Sequence, residues 1–108
     1  IFEIKNYFER IARFDFVDLC DQNIGSEDYI KIAEVCDFIV IENIPKFNDN
    51  NEHKQQRFIT LIDILYEKKI PLVTSSNSDI ENFGSSRALV DTFKRTISRL
   101  HELTSINK

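Results

Sequence analysis

The chain has 108 residues, a length that suits one domain whose core needs neither disulfides nor a metal. Its 42% hydrophobic content, with only two glycines and two prolines, excludes the collagen-like, linker-like and disordered classes. The net charge of −4 excludes a general nucleic-acid binder, because nonspecific affinity grows with the number of phosphates that Lys and Arg neutralise, but it leaves a local basic patch open.

The first part of the chain predicts a β-hairpin and then a short helix. Segments 1–5 and 11–17 are rich in β-branched and aromatic residues, and a polar stretch over 6–10 separates them, which favours two strands joined by a turn. Ser26 is then predicted to cap a helix, with Glu27 and Asp28 next to the positive end of its dipole. The apolar face of that helix consists of Tyr29, Ile32, Ala33 and Cys36.

The middle of the chain predicts a βαβ unit. Residues 38–41 form a continuous apolar run, typical of a strand buried on both faces, and residues 70–74 predict a second buried strand. Between them, the loop 48–51 can cap an amphipathic helix whose apolar positions are Phe58, Leu61, Ile62, Leu65 and Tyr66. We expect the two strands to be parallel and their connection to be right-handed.

The end of the chain predicts a terminal amphipathic helix. Residues 75–78 predict a polar loop, and 79–83 a helical turn closed by Gly84. Ser85 or Ser86 is then expected to cap the last helix, whose inner face consists of Leu89, Phe93, Ile97, Leu100 and Thr104. The predicted fold is a single α/β domain over residues 1–108. It has a small mixed sheet with an N-terminal hairpin, a right-handed βαβ unit and a C-terminal amphipathic helix.

The cysteines and the aspartates give little support for redox or metal chemistry. Cys20 and Cys36 form no C-x-x-C pair and have apolar neighbours, so we interpret them as small buried residues of a protein from a reducing compartment. Asp15, Asp18 and Asp21 are spaced three apart and could hold Mg²⁺. Outward positions of a strand and its following turn explain the same spacing better, so we expect no metal site.

Nucleotide hydrolysis and membrane insertion are not expected of this chain alone. The only glycines are Gly25 and Gly84, so the chain has no G-x-x-x-x-G-K-[ST] loop to cradle phosphates. No residue is predicted to be catalytic, because neither a nucleophile with a base nor an acid–base pair is apparent. No apolar run approaches the roughly 20 residues of a membrane helix, so we expect no stable membrane insertion.

Three arginines are the candidate binding residues. Arg95 and Arg99 lie one turn apart on the last helix, roughly opposite its apolar stripe, and like charges at this spacing favour an anionic neighbour. Two interpretations stay open. In one, Asp91 and Glu102 make this a solvated, salt-bridged helix face; in the other, a guanidinium reaches a phosphate or a partner's carboxylate. Arg57, at the edge of an apolar stripe, presents the same choice, and snorkelling or ion pairing is the more common outcome there.

Five segments then carry a resemblance to a known family. They are FVDLC at 16–20, GSEDY at 25–29, IP at 44–45, RFITLID at 57–63 with Leu65 and Tyr66, and RTISRLHEL at 95–103 with Ser105. In this order they resemble the C-terminal part of the ZapE-type AAA+ ATPases, which include the lactation-elevated and AFG1-like proteins. Gln56 stands where the family often has a second arginine, and Leu103 replaces a usual methionine.

The resemblance implies a longer parent protein that binds and hydrolyses ATP with Mg²⁺, as a homo-oligomer acting on other proteins. The phosphate-binding loop, the acidic Mg²⁺ motif, the sensor residue and the arginine finger of the family precede the matched part. This chain, which begins with Ile, is then expected to be a C-terminal module of that parent, in the bacterial cytoplasm or in mitochondria. Its partners would be the ATPase core, other copies of the parent and unknown target proteins.

Under that resemblance, Arg99 first and Arg95 second are the candidates for reaching the nucleotide or a neighbouring subunit. The alternative is a non-catalytic interaction domain that docks target proteins. Segments 39–42 and 72–77 also imitate an acidic strand end and a sensor strand, although an extension of the sheet is the preferred interpretation for them.

Overall fold

The computed structural model describes residues 6–20, 24–76 and 83–104. Within these ranges, four strands and four α-helices follow in the order β1 Asn6–Phe8, β2 Ile11–Asp15, α1 Phe16–Cys20, α2 Ser26–Val35, β3 Phe38–Ile44, α3 Glu52–Glu67, β4 Leu72–Ser76 and α4 Val90–Thr104. Two short 3-10 turns, Asp49–Asn51 and Arg87–Leu89, precede α3 and α4.

The strands form one mixed sheet in the order β1-β2-β3-β4. β1 and β2 are antiparallel, whereas β2, β3 and β4 are parallel to one another. The predicted α/β class, the hairpin and the βαβ unit of β3, α3 and β4 are confirmed. The structure adds a second parallel crossover, from β2 through α1 and α2 to β3, which the sequence patterns did not predict.

The hairpin differs from the prediction in where its turn lies. β1 occupies Asn6–Phe8, inside the stretch that we predicted to be a polar turn, and the predicted strand over 1–5 lies outside the described residues. The turn is only Glu9 and Arg10, with φ of 51° and 66°. A two-residue type I′ turn requires positive φ at both central residues. Glu-Arg does not predict such a turn from the sequence, as Asn-Gly would.

The predicted strand over 11–17 ends two residues early. The Asp15 carboxylate accepts a hydrogen bond of 3.2 Å from the Val17 N–H, as an N-cap does, and the chain turns into helix α1 at Phe16. Phe16, the first residue of α1, is buried. The alternation of apolar and charged residues that predicted a strand therefore holds only up to Asp15.

The predicted Ser26 cap is wrong, whereas Ser86 lies at the N-cap of the 3-10 turn that leads into α4 but makes no side-chain cap bond. Helix α2 has Gly25 at its N-cap, where the Gly25 N–H donates to the Asp28 carboxylate at 3.2 Å and the Gly25 carbonyl accepts from the Asp28 N–H at 3.1 Å. Before α4, the Ser85 hydroxyl donates to the Ser86 carbonyl, and the Ser86 hydroxyl has no hydrogen-bond partner within the described chain. Hydrogen bonds between Gly25 and Asp28 therefore cap α2, and a 3-10 turn precedes α4.

The loop 48–51 caps the 3-10 turn that leads into α3, whereas Asn51, the N-cap of α3 itself, makes no side-chain cap bond. The Asn48 carboxamide oxygen accepts from the Asn50 N–H, and the Asn51 carboxamide oxygen accepts from the Asn48 N–H, both at 2.8 Å. These reciprocal bonds satisfy backbone donors at the start of the helical segment.

One face of the sheet is buried under a single layer of helices. Helix α3 lies at the centre of that layer, in contact with α1, α2 and α4. The predicted inner positions of α3 are buried, except that Tyr66 is half-buried. The inner face of α4 is rotated from the prediction: Thr96 and Leu103 are buried with Phe93 and Leu100, and the half-buried positions are Leu89, Ile97 and Thr104.

Phe47 is the hub of an aromatic cluster in this core. Its ring centroid lies 5.3 to 6.3 Å from those of four other phenylalanines, namely Phe16, Phe58, Phe83 and Phe93. The backbone of Phe47 also pairs with Gly84 in an isolated parallel bridge. The cluster therefore ties the loop after β3 to the segment before α4. The predicted helical turn over 79–83 lies largely outside the described residues.

The opposite face of the sheet has no described helix against it. Ile11, Arg13 and Val73 are exposed, and Phe38 and Val40 are half-buried. The prediction that the 38–41 strand is buried on both faces is therefore wrong within the described residues, because only Ile39 and Ile41 are buried.

Candidate functional site

Arg99 lies in a polar seam between α3 and α4. One of its guanidinium nitrogens is 2.6 Å from a carboxylate oxygen of Asp63, and the two side chains are 29% and 34% exposed. The guanidinium also stacks over the ring of Tyr66, with 4.8 Å between the Arg99 Cζ and the ring centroid. Arg99 is thus held by two groups of the neighbouring helix, three residues apart on one face of α3.

The same seam continues to Glu102. The Tyr66 hydroxyl is hydrogen-bonded to the Glu102 carboxylate, and this bond raises the pKa of Tyr66 above its ordinary value. Four side chains, Asp63, Tyr66, Arg99 and Glu102, therefore form one connected polar seam at the helix boundary. We call them the α3–α4 seam.

Arg95 is placed differently from Arg99. Its side chain is exposed on α4, and it has no carboxylate partner among the described residues. Asp91, which the spacing offers as a local partner of Arg95, instead lies 3.8 Å from the Lys94 ammonium. Arg95 is therefore the available guanidinium of the pair, while Arg99 is engaged.

Arg57 lies at the far side of α3, in an open cleft between α2 and α3. The cleft has a volume of about 400 Å³ and is lined by Ile24, Gly25, Ser26, Tyr29, Gln56, Arg57 and Thr60. One guanidinium nitrogen of Arg57 donates to the Cys20 carbonyl at 3.2 Å, which closes the end of helix α1. Arg57 is thus partly used in joining α1 to α3, and the structure does not bring it together with Arg95 or Arg99.

The two cysteines are free and buried, as predicted. Burial raises the pKa of the Cys20 thiol to about 12 and also raises that of Cys36. A thiol with a raised pKa has almost no thiolate at neutral pH, so neither group is a nucleophile. Beside Cys20, the buried Tyr29 hydroxyl donates to the Leu19 carbonyl at 2.6 Å.

Asp15, the first of the three spaced aspartates, is engaged in hydrogen bonds. Asp15 uses one oxygen to cap α1 and accepts with the other from the Asn43 carboxamide at 2.7 Å. Asp21 lies outside the described residues, and no group of three or more His, Cys, Asp or Glu side chains within the described ranges could hold an ion.

The carboxyl ends of β3 and β4 are neighbours in the sheet. The polar groups at these ends bond to other strands of the sheet. The Asn43 N–H donates to the Ser75 hydroxyl at 3.3 Å, and Glu42 is 2.8 Å from the Arg13 guanidinium on β2. These bonds tie the three parallel strands together.

The partners of Arg99 were not predicted from the sequence. Local spacing suggested Glu102, whereas the carboxylate that it binds is Asp63, 36 residues earlier. Asp63 and Tyr66 are three apart on a helix, which places them on one face, and Asp63 ends the RFITLID segment. The pair of Asp63 and Tyr66 beside the apolar stripe of α3 was the sequence signal that could have identified the partners of Arg99.

The chain matches the sequence profile of the AFG1-like ATPase family over residues 2–108. It belongs to the AFG1-like ATPase family. Similar curated proteins include lactation elevated protein 1 homolog B of Danio rerio, with 34% identity over 71 residues, and cell division protein ZapE of Escherichia coli, with 29% identity over 90 residues. An uncharacterized protein of Schizosaccharomyces pombe is 31% identical over 71 residues.

These alignments cover 66%, 83% and 66% of this chain, but only 14%, 24% and 16% of the relatives. The chain therefore matches a quarter or less of the length of the relatives compared. No solved structure matches it significantly. Within the described parts of the chain, no helix is both long enough and apolar enough to cross a membrane.

Proposed function

We propose that this chain is a non-hydrolysing module of a longer AFG1-like ATPase, and that Arg95 on α4 contributes to ATP turnover by that parent. Arg95 would supply its charge to an anionic group, a phosphate or a carboxylate, at the boundary with the ATPase core or with a neighbouring copy of the parent. The observation that carries this role is the exposed guanidinium of Arg95, which has no ion-pair partner among the described residues and lies one helical turn from the anchored Arg99.

Arg99 serves as a positioning residue in this proposal. Its contacts with Asp63 and Tyr66 fix the rotation of α4 against α3, and α4 is the element that carries Arg95. Removing a contact that fixes a helix changes the direction of side chains one turn away, and small displacements at an active site cost large factors in rate.

The residues of this chain do not fit a complete site for ATP or Mg²⁺. The sequence has two glycines and no phosphate-binding loop, and the described residues hold no carboxylate cluster for a cation. ATP and Mg²⁺ are therefore assigned to the rest of the parent. The buried free cysteines agree with a reducing location, for which we propose the bacterial cytoplasm or mitochondria.

The test is steady-state ATP hydrolysis by the parent protein with Arg95→Ala, Arg95→Lys and Lys94→Ala. Lys94→Ala is the matched control, because it removes a neighbouring exposed cation whose only described partner is Asp91. We expect Arg95→Ala to lower kcat by about tenfold or more, Arg95→Lys to retain part of it, and Lys94→Ala to leave it unchanged.

Two results would contradict the proposal. Equal turnover by Arg95→Ala and the unaltered parent would remove the arginine from ATP chemistry and favour the alternative, a non-catalytic domain that docks target proteins. An equal loss in Lys94→Ala would show that general positive charge on α4, rather than this guanidinium, matters.

A further inference from the structure

The open face of the sheet carries a continuous apolar patch. Phe8 on β1 lies opposite Ile11 on β2, Ile11 lies opposite Phe38 on β3, and Val40 on β3 lies opposite Val73 on β4. Residues that are directly opposed on adjacent strands point to the same side of a sheet. These five side chains, which we call the open-face patch, therefore extend across all four strands.

The open-face patch is more exposed than the faces of parallel sheets normally are. Phe8 is 72% exposed, and Ile11 and Val73 are each 47% exposed. Sheets made of parallel strands are normally covered on both faces, and their strands read as continuous apolar runs. The run Phe38–Ile41 has that composition, yet the described helices cover only its Ile39 and Ile41 side. The sequence of β3 is therefore typical of a strand whose second face is also covered by packed side chains.

Two ion pairs lie beside the open-face patch. Arg13 is 2.8 Å from Glu42, and Arg10 is 2.9 Å from Asp37. Because both of these arginines are paired, neither offers an uncompensated positive charge to a nucleic-acid backbone or an anionic lipid surface. An apolar centre with a polar rim is instead the composition of a protein–protein contact.

We propose that the open-face patch is covered by the remaining polypeptide of the parent ATPase. This inference rests on the proposed function, namely that the chain is a module of a longer protein. The compared relatives have three quarters or more of their length outside the matched region, which is ample chain to supply a covering element. A covalently linked segment acts at an effective concentration of about millimolar, so it outcompetes a second copy in free solution.

The test is cysteine accessibility at Val73 in the full-length parent. Val73→Cys is alkylated under native conditions and read by mass spectrometry on the tryptic peptide 70–87, which contains no native cysteine. Val90→Cys is the matched control, because Val90 is 40% exposed, lies on the helical layer and falls in the cysteine-free peptide 88–94. We expect position 73 to react about tenfold or more slowly than position 90, independently of protein concentration.

Two outcomes overturn this proposal. A rate at position 73 that equals a fast rate at position 90 would show that the patch is open in the parent. Protection of position 73 that disappears on dilution would show that a second copy covers it.

The failure of this proposal and that of the arginine proposal are distinguishable. A protected position 73 together with normal turnover by Arg95→Ala would refute the arginine role alone. Free reaction at position 73 together with lost turnover would refute the covered face alone.

Discussion

The ion pair between Arg99 and Asp63 joins α3 to α4, and a double-mutant cycle measures its strength. The pair is 2.6 Å long and about two-thirds buried, with side-chain exposures of 29% and 34%. Hydrogen bonds to charged groups contribute about 1.5–3 kcal/mol, whereas fully exposed ion pairs contribute about 0.2–1 kcal/mol. Partial exposure places the expected coupling between these ranges, at about 1–1.5 kcal/mol.

The cycle consists of Arg99→Ala, Asp63→Ala and the double variant, each unfolded in urea. Arg99→Ala alone should cost about 2 kcal/mol, because it also loses the stacking on Tyr66, which is worth about 0.5 kcal/mol. The matched cycle uses Lys94 and Asp91 on the same helix, whose side chains are 77% and 98% exposed and 3.8 Å apart. We expect a coupling below about 0.5 kcal/mol there.

A coupling below about 0.5 kcal/mol between Arg99 and Asp63 would refute this reasoning. The ion pair would then contribute no more than the exposed control, and Arg99 would be free to serve a ligand directly. A strong coupling supports the positioning role that we assign to Arg99.

Three further outcomes are expected for the 108-residue chain. Gly84→Ala should lower the free energy of unfolding by at least about 1 kcal/mol, measured in urea, because φ is +76° and a Cβ would lie 2.6 Å from the Phe47 carbonyl oxygen. Arg87 holds the pKa of Asp49 below its ordinary 3.8, mainly through its backbone N–H. The native state then binds fewer protons than the unfolded chain, so this stability is present above about pH 4 and is lost as the pH falls. Asp49→Asn should flatten that part of the curve of unfolding free energy against pH, and an unchanged slope would contradict it. Cys20, whose pKa burial raises to about 12, should be alkylated at pH 8 only as fast as the chain unfolds. Fast labelling under native conditions would show that the site opens locally.

The elements of the fold that were predictable are those in which a long apolar pattern decides the structure. Residues 58–66 match the helical period at five positions, and the apolar run 38–41 is typical of a strand, although only Ile39 and Ile41 of that run are buried. Both signals come from burial, which dominates the energy of folding, so tertiary context had little room to override them.

The elements that were missed are decided by single backbone or capping groups. At residues 14–16 the alternation continues past the true end of β2, and only the hydrogen bond from the Val17 N–H to Asp15 shows where α1 begins. The hairpin turn depends on positive φ at Glu9 and Arg10, residue types that rarely adopt it. Neither feature has a periodic signature in the sequence.

In the candidate site, the arginines themselves were predictable from the sequence, whereas their partners were not. The sequence singled out Arg57, Arg95 and Arg99 because charge and spacing are local properties. Their different surroundings depend on which helix packs beside each one. The last carbonyl of α1 accepts a hydrogen bond from Arg57, and α3 brings Asp63 to Arg99. Such pairings across 36 residues or more follow from the tertiary fold, and spacing along one helix does not contain them.

The most direct test of a functional role for α4 is the rate of ATP hydrolysis by the parent ATPase carrying Arg95→Ala, compared with the unaltered parent at the same folded fraction. We predict a kcat lower by about tenfold or more, because one charge-stabilising group is removed. Unchanged turnover in a folded Arg95→Ala protein would contradict a role for this helix in ATP chemistry.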